Sequence, residues 1–204
     1  MSESEPSRGL MSVEEYLRFE NAAETKHEYV AGEVYAMEGG TMRHARIVSN
    51  VAGRLLSAAR GGPCQVVWAI KCRTPDDRFY YPDVMVVCTG GRDSDTVRRD
   101  PCLVIEVTSP ITARIDRGEK LDAYRAVPSL QAYLIVDHRR RRVERHWRPD
   151  AARGAGSKGA WRHADVVGAG IVPVPCPELD LALDEIYQGV EVGVVREPEP
   201  AAYG

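Results

Sequence analysis

Two carboxylates sit at the edge of, or inside, short apolar runs in the middle third of the chain. Asp83 opens the segment Asp-Val-Met-Val-Val after Tyr81-Pro82, and Glu106 interrupts Leu-Val-Ile-Glu-Val-Thr. Both runs read as buried strands, where a carboxylate is costly unless a cation compensates it. Neighbouring strands lie about 4.8 Å apart, so side chains from the two can converge on one ion. Magnesium takes oxygen ligands, keeps several waters, and needs only one or two carboxylates plus a substrate phosphate. These residues therefore point to metal-assisted hydrolysis of a phosphodiester, with the Val107 carbonyl as a third protein oxygen. Asp83 alone is equally well explained as a strand-entry residue after Pro82. Glu106, with apolar neighbours on both sides, is harder to explain without function.

Other polar residues carry two readings each. Asp116, Lys120 and Tyr124 are spaced i, i+4, i+8 and share one helix face. An exposed ion pair there contributes about 0.3–0.5 kcal/mol and nothing more. The functional alternative has Lys120 orienting the attacking water or stabilising charge on phosphorus. Lys71, at the end of the strand before Asp83, is a second candidate for that lysine. Glu28 is either an exposed strand carboxylate or a further metal ligand. His44 is either a capping or core histidine, or a group that contacts phosphate or orients Glu28. Its place near a helix N-terminus favours the neutral imidazole. His138 to Arg148 holds six arginines against one glutamate. Arg139, Arg140, Arg141 and Arg142 then form either a phosphate-contacting rim or a charged turn that protects an exposed edge strand.

The elements that must position these groups follow an α/β order. Ser12 with Glu15 three residues on is a capping box, predicting a helix to about residue 20. Residues 26–37 read as two strands turning at Ala31-Gly32. A long helix is expected over residues 42–60, stopped by Gly61-Gly62-Pro63. Strands are expected at 65–72, 83–88 and 102–108, a helix at 113–126, and strands at 131–136 and 142–147. Residues 150–159, rich in Gly and Ala, read as a mobile loop, and residues 179–187 as a closing helix. The whole reads as one domain over residues 10–187, with flexible ends at 1–9 and 196–204.

Composition bounds the rest. The chain has 204 residues, enough for one sizeable core, with 44% hydrophobic and 28% charged residues, as ordinary globular domains have. A net charge of −3 gives no overall attraction to nucleic acid. No apolar run is long enough to span a membrane. The N-terminal residues lack a signal-peptide profile, so a cytoplasmic location is expected. Five cysteines (Cys64, Cys72, Cys88, Cys102, Cys176) form no C-x-x-C pair. Buried, reduced thiols are the expectation, and a zinc site is not.

The order Pro-Asp83-Val, Glu106-Val-Thr-Ser-Pro, Asp116-x-x-x-Lys120-x-x-x-Tyr124, then Val127-Pro-x-Leu-x-x-Tyr133-Leu-Ile-Val-Asp137, resembles the Uma-two family of restriction endonucleases. That family lies in the PD-(D/E)xK nuclease superfamily. The segment from Glu28 to Tyr35 resembles its first hairpin, and His44 its helix-opening histidine. The resemblance covers roughly residues 10–187. It implies a restriction-endonuclease-like core, a mixed central sheet flanked by helices, with an N-terminal β-hairpin. It also implies a metal-dependent endonuclease acting on DNA, with Mg²⁺ or Mn²⁺ held by Asp83, Glu106 and Val107, and a 5′-phosphate product. Lys120 and Glu28 would complete the catalytic set, and a homodimer would present two sites to a duplex. Apart from the resemblance, the strands of Tyr133 and Trp147 are a candidate interface for it. The sequence departs from the superfamily pattern at Thr108, two residues after Glu106, where a lysine belongs. Lys120 on the following helix matches the place to which this family's lysine has moved. The rival readings are a weak or inactive nucleic-acid-binding module on the same fold, and a structural protein in which these charges form an internal network.

Overall fold

The computed structural model describes residues 10–37, 39–108, 112–149 and 160–193. The expected mobile loop at 150–159 and both expected flexible ends lie outside them.

Helix α1 (Val13–Ala22) starts as the sequence predicts. Ser12 accepts from the Glu15 backbone and Glu15 reaches back to the Ser12 N–H at 2.8 Å. Strands β1 (His27–Val30) and β2 (Glu33–Ala36) pair antiparallel. Ala31 and Gly32 both have positive φ, 51° and 94°, the conformation a two-residue hairpin turn needs. A side chain at Gly32 would also meet Leu10, whose Cβ lies 2.8 Å from where the added carbon would stand. Helix α2 (Met42–Ala59) is capped by Thr41. Its apolar stripe of Ile47, Val51 and Leu55 is fully buried.

Beyond α2 the chain builds two sheets. Strand β3 (Gln65–Val67) joins one and β4 (Lys71–Arg73) the other. The single strand expected over 65–72 is therefore broken, because Ala69 turns through the left-handed region at φ 64°. Strands β5 (Phe79–Tyr80), β6 (Val84–Val87), β7 (Val97–Arg98) and β8 (Leu103–Thr108) follow. The helix expected at 113–126 is two short ones, α3 (Ala113–Arg117) and α4 (Glu119–Arg125), separated at Gly118. A side chain at Gly118 would crowd the Arg114 carbonyl at 3.1 Å. Strands β9 (Ala132–Asp137), β10 (Arg142–Trp147), β11 (Arg162–Val167), β12 (Ile171–Pro175) and β13 (Glu178–Ala182) lead to α5 (Leu183–Ile186). The closing segment at 179–187 is thus mostly strand, with one helical turn.

The larger sheet runs β11-β10-β9-β8-β6-β3 and is mixed, β8 and β9 being parallel and the rest antiparallel. The smaller runs β2-β1-β5-β4-β7. Alternation decides which side chain meets which layer. Val84, Val86, Leu103, Ile105 and Val107 pack with α2, α5 and the β12–β13 hairpin. Met85, Val87 and Val104 pack on the other face with Leu121 and Tyr124 of α4. By the same parity Asp83, Glu106 and Thr108 face the α4 side.

Three expectations are corrected here. Strand β10 is not an exposed edge, since β11 pairs along its whole length. Tyr133 is fully buried in the core against Tyr124, so its own side chain stands on no surface that a second copy could meet. Four of the five cysteines are not free thiols: Cys64 is bonded to Cys88 and Cys102 to Cys176, leaving Cys72 buried and reduced. Among the described residues no helix is long and apolar enough to cross a membrane.

Candidate metal centre and its carboxylate–lysine network

Asp83 and Glu106 come together because β6 and β8 are antiparallel with Val84 opposite Ile105. That register sets Asp83 beside Glu106, the next pair along. Asp83 Oδ2 accepts from the Val107 backbone N–H at 2.7 Å and lies 3.2 Å from His44 Nε2. Helix α2 thus delivers His44 to Asp83, not to Glu28. The hydrogen bond to Asp83 raises the His44 pKa, although burial works against it. That direction runs contrary to the expectation drawn from its helix position alone.

Glu106 is 5% exposed. Burial raises its pKa well above the carboxylate range; Lys120 opposes the shift, while Asp83, Asp116 and Glu28 add to it. Its Oε1 accepts from Lys120 Nζ at 3.2 Å and from the Tyr124 hydroxyl at 3.1 Å. Both donors come from α4, the helix that covers the face on which Glu106 stands.

Lys120 is the hub. Its Nζ lies 2.8 Å from Glu28, 3.2 Å from Glu106 and 3.8 Å from Asp116, and its side chain is 7% exposed. Burial disfavours its charge, but Glu106, Glu28 and Asp116 together outweigh burial and raise its pKa. The ammonium is held, not lost. Glu28, on β1 of the smaller sheet, also accepts from the Tyr81 N–H at 3.2 Å, so the network bridges the two sheets. Asp116 is buried as well, and burial raises its pKa. The Asp116–Lys120 pair is therefore no exposed surface pair of the weak kind.

The local charge is unbalanced. Glu28, Asp83, Glu106 and Asp116 converge on one lysine and one histidine, an excess of carboxylate that a divalent cation would offset. Asp83 and Glu106 each make the contacts described through a single oxygen. The donor set is hard oxygen, which fits Mg²⁺ or Mn²⁺. Lys71 does not join it: its ammonium lies 5.6 Å from the Tyr81 ring centre, and burial lowers its pKa. Thr108, at the strand position where the superfamily carries lysine, is 2% exposed.

The arginine turn lies at the same end of the sheet, since Thr108 pairs with Asp137 just before it. Arg139 and Arg140 are exposed. Arg141 bonds the Gly168 carbonyl at 2.9 Å and pairs with Asp184, and Arg142 pairs with Asp165 at 2.8 Å. Those two have structural partners. Sequence reasoning missed His138, whose Nδ1 donates to the Thr108 carbonyl, and gave Tyr124 no role of its own. Its helical spacing from Lys120 was the available signal.

The chain is 32% identical over 183 residues to one uncharacterized protein of Synechocystis, covering 88% of this chain and 93% of the relative. It is 31% identical over 143 residues to a second, covering 67% and 80%. A crystal structure titled as a putative nuclease belonging to DUF820, from Anabaena variabilis, superposes with a TM-score of 0.67 at 18% identity. That match covers 86% of this chain and 97% of the other, and it shows a common fold. The family model Uma2, described as "Putative restriction endonuclease", matches residues 13–172. The chain belongs to that family.

Proposed function

We propose that the protein is a metal-dependent endonuclease that hydrolyses phosphodiester bonds in DNA. The observation that carries this is Lys120, brought from α4 to 3.2 Å from Glu106 and 2.8 Å from Glu28. A lysine absent from the strand is thereby supplied beside the same carboxylate by the helix above it. Asp83, Glu106 and the Val107 carbonyl would hold Mg²⁺ (or Mn²⁺). In an extended strand a residue's N–H and C=O point to the same side, and the Val107 N–H already meets Asp83, which supports the carbonyl as a ligand. The ion, when bound, polarises the scissile phosphate and lowers the pKa of a water.

The chain's own groups do the positioning. Lys120 keeps its proton, so its part is to orient the attacking water and to offset charge growing on phosphorus. Glu28 fixes the Lys120 ammonium from the opposite sheet. Tyr124 holds Glu106 in one rotamer, and His44 with the Val107 N–H does the same for Asp83. Arg139 and Arg140, exposed at this end of the sheet, would meet a phosphate backbone that crosses it.

The test is incubation of the full chain with supercoiled plasmid and short oligonucleotides, with Mg²⁺, Mn²⁺ or EDTA, beside Glu106→Gln. Metal-dependent cutting by the wild type and none by the folded variant is the expected result. Equal cutting by both would remove the metal-site assignment. Metal-independent DNA binding without cutting would favour the binding-module reading, which the departure at Thr108 already motivates.

A further inference from the structure

At the other end of the same strands lies a second cluster. Cys64 precedes β3, Cys88 follows β6, Cys102 precedes β8, and Cys176 lies in the turn between β12 and β13. Register makes the convergence inevitable for the first two: Gln65 is opposite Val87, so Cys64 is opposite Cys88. The Cys102 N–H donates to the Val86 carbonyl at 2.8 Å, setting its thiol beside theirs. Burial of Val172, Val174 and Leu181 against the sheet brings the β12–β13 tip to the same point. The two bonded pairs are in contact, with Cys88 Sγ 3.4 Å from Cys102 Sγ and 3.2 Å from Cys176 Sγ. Cys64, Cys88 and Cys176 sulfurs all lie within 4.8 Å of one another.

We propose that Cys64, Cys88, Cys102 and Cys176 form a single four-thiolate site for a soft divalent metal ion, zinc by its chemistry, and that the paired disulfides are its oxidised, metal-free form. Two disulfides that merely staple a fold have no reason to share one point, whereas a metal requires it. Cys88 is bonded to Cys64 and in contact with the Cys102 and Cys176 sulfurs, so once an external dithiol has reduced one pair, the thiolate released can attack the other disulfide. Zinc–sulfur bonds of about 2.3 Å in a tetrahedron put sulfurs about 3.8 Å apart. The two gaps from Cys88 already approach that value, while Cys102 lies outside the group of three sulfurs within 4.8 Å of one another and closes on Cys64 when the metal binds. Four protein ligands, three from strand ends and one from a hairpin turn, close the shell as structural zinc sites do. The donor set is soft sulfur, so it does not compete with the oxygen site for magnesium.

The conversion balances simply. Each disulfide takes two electrons and two protons from a small-molecule or protein dithiol, which becomes a disulfide itself. The resulting four thiols release up to four protons as Zn²⁺ binds, leaving a tetrathiolate of net charge −2. Without the ion, four adjacent thiolates would repel, so the metal-free reduced site stays protonated. Access is provided at Cys64, which lines a cleft of about 730 Å³ together with Leu56, Gln65 and Arg98. The short-range C-x-x-C rule fails here because all four ligands are distant in sequence and near only through strand pairing.

The test uses the full chain, reduced with a phosphine, freed of metal and titrated with Co²⁺ under nitrogen. The expected result, in excess Mg²⁺ to fill the oxygen site, is one thiolate-bound Co²⁺ per chain, with the thiolate-to-cobalt charge-transfer and tetrahedral ligand-field bands, displaced by Zn²⁺. Cys64→Ser, at the half-buried cleft position, should bind at least about 100-fold more weakly, and Cys72→Ser should bind as wild type. Circular dichroism establishes that each variant is folded. A folded, reduced wild type that takes up no Co²⁺, or takes it up with an oxygen-ligand spectrum, overturns the proposal, as does Cys64→Ser binding with wild-type affinity and spectrum. Because Glu106→Gln should retain the thiolate-to-cobalt bands in full, failure of the nuclease reading leaves this test unaffected.

Discussion

Strands β6 and β8 run side by side with hard oxygen donors at one end and sulfur at the other. Cys88 is five residues from Asp83 along β6, or roughly 17 Å at the rise of an extended strand. Between them the two strands are filled by apolar side chains such as Val84, Val86 and Ile105, all fully buried. The carboxylate end is over-charged and is held by a lysine reaching in from a separate element. The sulfur end, in its disulfide-bonded form, carries no such excess and is held by covalent bonds that join three strand ends and a hairpin turn. An end that is electrostatically strained is where chemistry belongs, and an end closed on itself is where the sheet is fixed.

Perturbing each end should give different kinds of loss. Glu106→Gln should lower metal-dependent cleavage at least about 10³-fold, some 4 kcal/mol of barrier. Its stability should change little, because one of several crowded carboxylates is neutralised; plasmid cleavage and a urea titration read both. Lys120→Met should do the reverse in stability, costing about 3 kcal/mol by leaving buried carboxylates uncompensated, seen as a lower urea midpoint. Under non-reducing conditions Cys176→Ser should cost about 2–4 kcal/mol through the lost cross-link, which closes a separation of 74 residues. Its cleavage at 25 °C should stay within about threefold of wild type, and a tenfold loss would deny that the two ends are independent.

A third region sharpens the contrast through pH. His146, on β10, is 6% exposed. Burial first, then His163 and Arg125, push its pKa down to about 4. A histidine depressed in this way contributes stability above its unfolded pKa near 6.5 and loses it as pH falls toward 4. Unfolding free energies from urea titrations should therefore fall across that window by on the order of 2–3 kcal/mol from this group, and His146→Gln should flatten that part of the profile. Tyr124→Phe is the mildest change. It removes one hydrogen bond to Glu106 and should cost about 1 kcal/mol in stability, with cleavage reduced by about tenfold or less.

Local signals were legible wherever local physics decides. The Ser12–Glu15 box, the Ala31-Gly32 turn and the apolar stripe of α2 all stand where sequence periodicity and capping place them. The carboxylates at Asp83 and Glu106 were legible as charges set in apolar strands. What depended on pairing across the chain was not. Nothing near residue 68 announces that β3 and β4 belong to different sheets. The paired strand β11, rich in charge at Arg162, His163 and Asp165, has no apolar alternation to reveal it. The cysteines looked like isolated buried thiols because their meeting is a property of register, and the side chain of Lys120 could be assigned to the site or to solvent with equal ease until α4 was seen to cover Glu106.

The lysine's origin on α4 has a bearing on recognition of such chains. A strand that must carry both a carboxylate and a lysine two residues later advertises itself as a short word in the sequence. Here the word is split: the acid is spelled by β8 and the base by a helix fourteen positions on, across the Gly118 break. Position 108 is released to hold a small buried threonine, and the spacing between acid and base becomes a matter of loop length. A search keyed to the undivided word would discard this chain, whereas one keyed to a buried strand acid facing a helical lysine would keep it.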